Sequence, residues 1–347
     1  MAFSCLRNSL RICWFGAAFV IVIPMTQESF PLKIPLVNFY IAGLTDVGLR
    51  RDHNEDHFYL SQLPLESGKP ALVDASACRI DPSATGSTAL CIVADGMGGA
   101  SSGEVASEMA TSGVACALNG EFESLRSLPE GEAIQRLLDT SVAVNQTLWD
   151  ASAASLELRG MGTTLTAMLV MGNRAYWLQS GDSRLYRLRN GLLEILTPDQ
   201  SAVGQLFQQG NITEEQARRH PYKNVIDQCM GGNADDPFEP AAGSFELQVG
   251  DAYVLCSDGL MDGLWDGEIQ DRLELLGKGK SPVEVVERLV LDAKVASGND
   301  NITAIVGYFA PDPSTASTAA KTVGDWIRER ALGQRYFDIT PKNTKIH

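Results

Sequence analysis

One stretch constrains this chain more than any other: Ala89-Leu-Cys-Ile-Val-Ala-Asp95-Gly-Met-Gly-Gly-Ala-Ser-Ser-Gly-Glu104. Its apolar run, Ala89 to Ala94, reads as a buried strand. The run stops at Asp95, and the glycines that follow free the backbone for close approach. Ser101 and Glu104 then form an S-x-x-E capping box that opens a helix to about Leu118. A single Asp-Gly after a strand is an ordinary turn signal, but here the arrangement recurs. Asp182 follows Ala175–Gln179 within Gly181-Asp-Ser-Arg184, Asp258 follows Tyr253–Cys256 within Ser257-Asp-Gly-Leu260, and Asp300 stands just before the run Ile302 to Phe309. Carboxylates gathered at strand ends point to a hard-cation site, because carboxylate and carbonyl oxygens suit Mg²⁺ or Mn²⁺.

The acidic balance fits that reading. The 347 residues carry 28 Lys and Arg against 43 Asp and Glu, a formal net charge of −15, which argues against a nucleic-acid or anionic-membrane binder. The seven cysteines form no C-x-x-C pair and are odd in number, so neither a disulfide framework nor a zinc site is expected, and the compartment reads as reducing. The four histidines, His53, His57, His220 and His347, show no metal-ligand pairing. Arg7 and Arg11 precede an apolar stretch from Ile12 to Ile23 that stops at Pro24. It is short for a bilayer span and lacks a cleavage site. Translation from Met25 is the favoured expectation, ahead of a weak anchor through residues 12–23 or a signal peptide, and the expected location is cytoplasmic.

Residues 1–40 read as an extension, 41–309 as the globular domain and 310–347 as a linker, a short helix around Val323, Trp326 and Ile327, and a tail. Ile41 to Gly48 reads as an edge strand, and Leu49 to Phe58 as a dense polar cluster. Residues 61–88 read as a surface insertion. A helix is expected from Glu132 to Ala151, and a strand from Met161 to Val170 that turns at Gly172-Asn173. Asn190-Gly191 marks a tight hairpin. These links make the sheets antiparallel, so the glycine-rich stretch is not a dinucleotide-binding turn. No Lys-Ser or Lys-Thr follows it, so it is not a Walker A loop. Thr213 and Gln216 cap a short helix ended by Pro221. Ser281, Pro282 and Glu284 open a last helix ended by Gly298, and a strand from Ile302 to Phe309 closes the domain.

Taken in order, Arg51-x-x-Asn-Glu-Asp56, Asp95-Gly-Met-Gly-Gly99, Met161-Gly-Thr-Thr164, Gly181-Asp-Ser-Arg184, Ser257-Asp-Gly259 and Asp300-Asn-Ile-Thr303 resemble the metal-dependent protein phosphatases of type 2C (the PPM family) in their bacterial form. Each motif is weak alone, and the ordered set over roughly residues 41–309 is strong. The resemblance implies an α+β fold: two antiparallel β-sheets packed as a central sandwich, with helices on both outer faces, plus a small flap subdomain at about 199–226. It implies two core Mn²⁺ or Mg²⁺ ions and a third, weaker one. Asp95 would bridge the core pair and the Gly96 carbonyl would complete one shell. Asp258 and Asp300 would bind one ion, Asp56 would support the site with Glu55 beside it, and Asp182 with Asp258 would hold the third. Arg51 would hold the substrate phosphate.

The implied activity is a serine/threonine phosphoprotein phosphatase in which hydroxide generated between two ions attacks phosphorus in line, with no covalent intermediate. Phosphorylated proteins are the expected substrates, a serine/threonine kinase the expected opponent, and a monomer the expected state. A non-catalytic phosphoprotein-docking relative and a phosphatase of an anti-sigma-antagonist switch are the alternatives. Met97 stands where eukaryotic members often carry His, which leaves the leaving-group acid unassigned. Gln200 stands where relatives often have His, and Lys223 where Arg is common.

Overall fold

The computed structural model describes residues 11–15, 18–22, 37–63, 88–98, 102–232 and 237–311. The chain divides into two units, Met1–Ile34 and Pro35–His347. In the first, the described residues form an antiparallel hairpin of β1 (Arg11–Phe15) and β2 (Ala18–Val22). It covers part of the apolar stretch that the sequence offers as an anchor or leader. Among the described residues, no helix is long and apolar enough to cross a membrane. The Ser101 capping box, the interior of the 61–88 insertion and the helix expected around Trp326 lie outside the described residues.

In the second unit β3 (Val37–Asp46), β4 (Asp56–Leu63) and β5 (Thr88–Met97) lead into two long helices, α1 (Ser102–Leu125) and α2 (Glu130–Ala154). The meander β6 (Gly162–Thr163), β7 (Leu165–Met171), β8 (Arg174–Ser180), β9 (Arg184–Arg189) and β10 (Leu192–Ile195) follows. Two short helices, α3 (Ala202–Gln208) and α4 (Glu214–Arg218), precede β11 (Met230–Gly231), β12 (Ala241–Glu246) and β13 (Ala252–Cys256). The chain then makes α5 (Asp258–Gly263), α6 (Asp266–Gly277) and α7 (Pro282–Ala296) before β14 (Ile302–Pro311). Among the described residues, one sheet has the order β10-β9-β13-β14-β3. The other has β11-β6-β5-β7-β8-β12, with β4 also on β5, and every pairing is antiparallel.

Both sheets are buried on both faces, which is why their strands read as continuous apolar runs instead of alternating ones. In β5, Ala89, Cys91 and Val93 face the opposite sheet and pack with Phe39, Ile41, Leu255 and Ile305. Leu90, Ile92 and Ala94 face outward onto α1 and α2 through Ala106, Ala110, Val114 and Leu148. On the other side Val254, Cys256, Ala304 and Val306 meet α5, α6 and α7 through Leu260, Ile269, Leu273, Val286 and Leu289. The four-layer sandwich expected from the resemblance is the fold.

The turns follow their residues. Asn190 (φ 54°) and Gly191 (φ 77°) make the β9–β10 hairpin, and Gly172 (φ 62°) makes the β7–β8 turn. The capping boxes of Thr213 with Gln216 and of Ser281 with Glu284 form as expected, with Pro282 in the first turn. Other elements depart from the linear reading. α1 runs past Asn119-Gly120 to Leu125, because Phe122 and Leu125 bury themselves in the core shared with α2; tertiary burial overrides the weak local propensity. β3 starts at Val37, ahead of Ile41. α3, β12, α5 and α6 have no counterpart in that reading. Ile269, Leu273 and Leu276 of α6 keep a helical period, but the surrounding glycines and acids read as turns.

Candidate active site

Strand alternation builds the site. Successive side chains point to opposite faces, so Asp95 shares the inter-sheet face of β5 with Ala89, Cys91 and Val93. Leu60 packs between the sheets and Tyr59 against the helices, which puts Asp56 on the same inter-sheet face of β4. The antiparallel register sets Asp56 directly opposite Asp95. From the other sheet, Ser257 and Thr303 continue the inward faces of Leu255 and Ile305. Ser257 Oγ donates to Asp56 Oδ2 at 2.7 Å and accepts from Thr303 N at 3.0 Å. This contact links the two sheets at the mouth of the sandwich.

Close backbone approach explains two of the motif glycines. A Cβ on Gly96 would lie 2.1 Å from the Gly103 carbonyl oxygen, and one on Gly259 would lie 2.0 Å from that of Asn301. Gly259 thereby lets the first turn of α5, which carries Asp258, press against the segment just before β14, which carries Asp300. The backbone around Asp95 is held by threonines. Asp95 N donates to Thr164 Oγ1 at 2.9 Å, and Asp95 O accepts from Thr163 Oγ1 at 2.9 Å and from Thr164 N at 2.8 Å.

The polar loop 47–55 is pinned by Asn301, the residue after Asp300. Its Oδ1 accepts from Glu55 N at 2.8 Å, and its Nδ2 donates to Val47 O at 3.0 Å and His53 O at 2.9 Å. Asn54 ties the same loop to Thr45 at 2.8 Å. Asn301→Ala would remove three hydrogen bonds to part-buried backbone groups, each with a net worth of about 0.5–1.5 kcal/mol. The expected result is a lower urea midpoint and faster hydrogen exchange at the Glu55 amide; unchanged exchange there would mean the loop is held by other contacts. Arg51, 47% exposed at its side chain, reaches across this loop to Asp300 Oδ2 at 2.8 Å and lies 3.8 Å from Glu55. The Asp300 hydrogen bond holds its guanidinium above its ordinary pKa.

The Asp182 turn is braced by other residues. Gln179, fully buried, donates to Gly181 O at 2.9 Å and Ser183 O at 2.8 Å. Gln200 accepts from Gly181 N at 2.8 Å, and its own amide donates to Gly181 O at 3.0 Å. Gln200, a departure from the family pattern, thus clamps this turn. Lys223, the other departure, pairs with Asp262 of α5 at 2.7 Å. An antiparallel bridge between Ser201 and Ile226 closes the base of the flap.

Electrostatics describe a crowded acidic cleft. Burial, then the charges of Asp56 and Asp258, push the Asp95 carboxyl well above the usual range. Burial, then Asp182 and Asp300, do the same to Asp258. Asp56 is pushed up to about 6 by burial, against the pull of its Thr303 and Ser257 hydrogen bonds. Asp182 is pushed up to about 6 by burial and then by Asp199, and Glu55 is raised by burial. Asp56 Oδ1 and Asp258 Oδ1 are buried and accept no hydrogen bond from the protein. Buried orphan carboxylate oxygens call for an ion or ordered water, so the donor set fits divalent cations bound through oxygen. The carboxylates line the cleft instead of closing a cage. Among the described residues, no group of three or more His, Cys, Asp or Glu side chains stands close enough to hold one ion by itself. Carbonyls and waters would complete such shells, as hard cations allow.

Sulfur chemistry has little support here. Burial pushes the Cys256 thiol, beside Asp258 in sequence, up to about 12, where it is inert. A Cys-x5-Arg spacing of the kind cysteine phosphatases use does occur, from Cys5 to Arg11. Arg11 belongs to the N-terminal hairpin, and Cys5 lies outside the described residues.

The residues singled out in the sequence thus lie at or near one end of the sandwich. Linear reading missed Ser257 as the partner of Asp56, Asn301 as the loop pin and Gln200 as the turn clamp. Asn301 lay inside a recognised motif; the Ser257 contact spans 201 residues and leaves no local signal.

Comparison with known proteins agrees. The family described as Protein phosphatase 2C matches residues 74–288. The chain is 33% identical over 274 residues to the serine/threonine protein phosphatase PstP of Mycobacterium tuberculosis, covering 79% of this chain and 45% of that protein. It thus spans less than half of that relative. It is 32% identical over 264 residues to the protein phosphatase PhpP of Streptococcus pneumoniae, covering 76% of this chain and 94% of PhpP. Among solved structures, the M. tuberculosis PstP/Ppp crystal structure superposes with a TM-score of 0.61 at 34% identity, over 79% of this chain and 99% of that one. A structure of the PstP catalytic domain in complex with two manganese ions superposes with a TM-score of 0.60 at 32% identity, over the same shares.

Proposed function

The chain belongs to the protein phosphatase 2C family, and on that premise we propose that it is a metal-dependent phosphatase acting on phosphoserine and phosphothreonine in other proteins. The observation that carries this reading is the pair of buried, unsatisfied carboxylate oxygens on Asp56 and Asp258 within an acidic cleft. Asp95 would bridge two core ions, with the Gly96 carbonyl in one shell. Asp258 and Asp300 would hold one ion, and Asp56 with Glu55 would support the site. Asp182, with Asp258, would hold a third. The two manganese ions of the PstP catalytic domain support Mn²⁺ as the first cation to try, with Mg²⁺ the alternative. When bound, such ions supply positive charge against the phosphoryl oxygens and lower the pKa of water.

The chain's own contribution is placement. Phosphoryl transfer leaves little for a protein to do beyond positioning and charge stabilisation. Arg51 offers a planar fork that matches two phosphate oxygens, and its exposure leaves it free to swing from Asp300 to a substrate. Asn301 and Asn54 fix the loop from which it swings. The Ser257–Asp56 hydrogen bond keeps the two sheets in register across the cleft. The phosphorylated proteins, an opposing serine/threonine kinase, a monomeric state and a cytoplasmic location form part of the proposal. Cys116 and Cys256 are thiols outside any disulfide, which supports a reducing compartment.

Release of phosphate from a phosphoserine peptide, and of p-nitrophenol from its phosphate, with Mn²⁺ present, tests the reading; no release from either would overturn it. Within that assay Arg51→Ala is expected to lower kcat/KM by roughly ten- to a hundred-fold, since a charge-assisted contact is worth about 1.5–3 kcal/mol. Mn²⁺ should still bind. Arg50 is also exposed but lies off the motif register, so Arg50→Ala should do far less. Equal losses from both would place the phosphate contact elsewhere.

A further inference from the structure

Arg184 has no role in the chemistry just described, yet its whole guanidinium is engaged. Its side chain is 13% exposed, and that of its partner Asp199 is 3% exposed. Arg184 Nε and Nη2 both donate to Asp199 Oδ2, at 3.3 and 2.8 Å, and Nη1 donates to Tyr186 Oη at 2.9 Å. Tyr186 Oη in turn donates to Asp266 Oδ1 at 3.0 Å, at the start of α6. The guanidinium carbon lies 5.6 Å from the centroid of the Phe207 ring in α3. Burial opposes the charge, but Tyr186 and Asp199 hold it firmly in the protonated state.

Asp199 is the first residue of the flap, and α3 is built onto it. Its Oδ1 accepts from Ser201 Oγ at 2.7 Å, and Ser201 Oγ caps α3 by accepting from Gly204 N at 3.0 Å. A Cβ on Gly204 would lie 1.9 Å from the Asp199 carboxyl carbon, so the first turn of α3 rests on that carboxylate. Asp199 N also donates to Gln208 Oε1 at the far end of the helix, at 3.0 Å. A single buried ion pair therefore fastens the flap's entry helix to β9, two positions after Asp182 in the chain. The flap has further attachments through Arg218, which lies 4.4 Å from the Trp265 ring centroid and donates to Leu264 O, and through Lys223 with Asp262. These cations are more exposed than Arg184.

Between flap and sandwich lies a pocket of about 80 Å³. Asp182 and Asp258 line it from the core, and Val203, Phe207, Lys223 and Asn224 line it from the flap. The flap thus forms one wall of the space beside the cleft carboxylates. A polypeptide carrying a phosphoresidue into the cleft must pass that wall, whereas a small aryl phosphate need not.

We propose that Arg184 is a positioning residue that sets specificity for protein substrates: through Asp199 and Phe207 it holds the flap wall against which the chain flanking the phosphoresidue binds. The inference rests on the phosphatase reading above. Arg184→Lys keeps the charge and loses the fork, and Phe207→Ala keeps the ion pair and removes the stacking surface, so neither leaves Asp199 buried beside an uncharged partner. Each variant is expected to raise KM for a phosphoserine peptide about tenfold, the loss of one well-made contact, with kcat nearly unchanged. Values for p-nitrophenyl phosphate should stay within about twofold, because binding energy from remote substrate parts is lost only where those parts exist. Trypsin should also cut faster after Arg218, Arg219 or Lys223 in the variants than in the parent, relative to sites elsewhere. Equal changes for both substrates would make Arg184 a general fold residue and overturn the proposal, as would unchanged KM for the peptide. If the parent protein hydrolyses neither substrate, the phosphatase reading fails instead, and the protease pattern still decides whether Arg184 and Phe207 hold the flap.

Discussion

Asp95→Asn is expected to abolish turnover and tight Mn²⁺ binding together. The Asp95 carboxylate feels four other acids of the cleft: burial and then the charges of Asp56, Asp258, Asp182 and Asp300 all press on it. Asparagine keeps one neutral oxygen but cannot bridge two cations as a carboxylate does. The backbone at this position is held by Thr163 and Thr164, which the substitution does not touch. The variant should therefore fold, and without metal it should be at least as stable as the parent near neutral pH, because a buried charge among like charges has gone. Asp182→Asn supplies the contrast. Its turn is held by Gln179 and Gln200, so the variant should keep two tightly bound ions by calorimetry while peptide turnover falls. If it loses those ions as Asp95→Asn does, the division into core and accessory ligands is wrong.

Removing the metal from the unaltered protein should have an effect of similar size. EDTA is expected to stop hydrolysis, and iodoacetamide is not, because Cys256 is buried and its thiol stays protonated. Metal should also change stability. An ion that binds only the folded state at a hundred times its Kd adds about 2.7 kcal/mol, so Mn²⁺ should raise Tm by several degrees. In the metal-free protein Asp56 and Asp182 sit at about 6, above the ordinary carboxylate value near 3.9. The folded state then binds more protons than the unfolded chain between about pH 4 and pH 6. Stability from these groups is present below that window and is lost as pH rises through it, and Mn²⁺ restores it at neutral pH. A metal-free Tm that rises from pH 5 to pH 7 would contradict the burial of these carboxyls described here.

Much of this was legible in the chain because strand ends and turns obey local rules. The apolar run before Asp95, the Asn190-Gly191 hairpin and the Thr213 and Ser281 caps depend on residues within a few positions of one another, and all form as expected. The order of six short motifs carried the fold, since no one motif does. What local rules could not reach was set by distance or by burial. α1 outruns its glycine because Phe122 and Leu125 find a core on α2. α5 and α6 hide among glycines and acids that elsewhere mark loops. The hydrogen bond from Ser257 to Asp56 and the three bonds of Asn301 cross between elements far apart in sequence. The Arg51–Asp300 pair is of the same kind: both residues stood out as candidates, but nothing in the linear pattern says that one rests on the other.

The pairing of β3 with β14 has a further consequence. Val37 lies opposite Pro311 across the edge of the five-stranded sheet, so the described part of the two-sheet unit starts and finishes one strand spacing apart, about 4.8 Å in the pairing direction. Its outline is a nearly closed ring of chain. A body whose ends meet can be spliced into a surface loop of a host protein without prising that loop open, because it asks for almost no separation between the two junctions. The same geometry lets the ring be sealed with a few residues and cut elsewhere, and the residues between Leu63 and Thr88, which join two strands already paired at those positions, are the natural place for the cut.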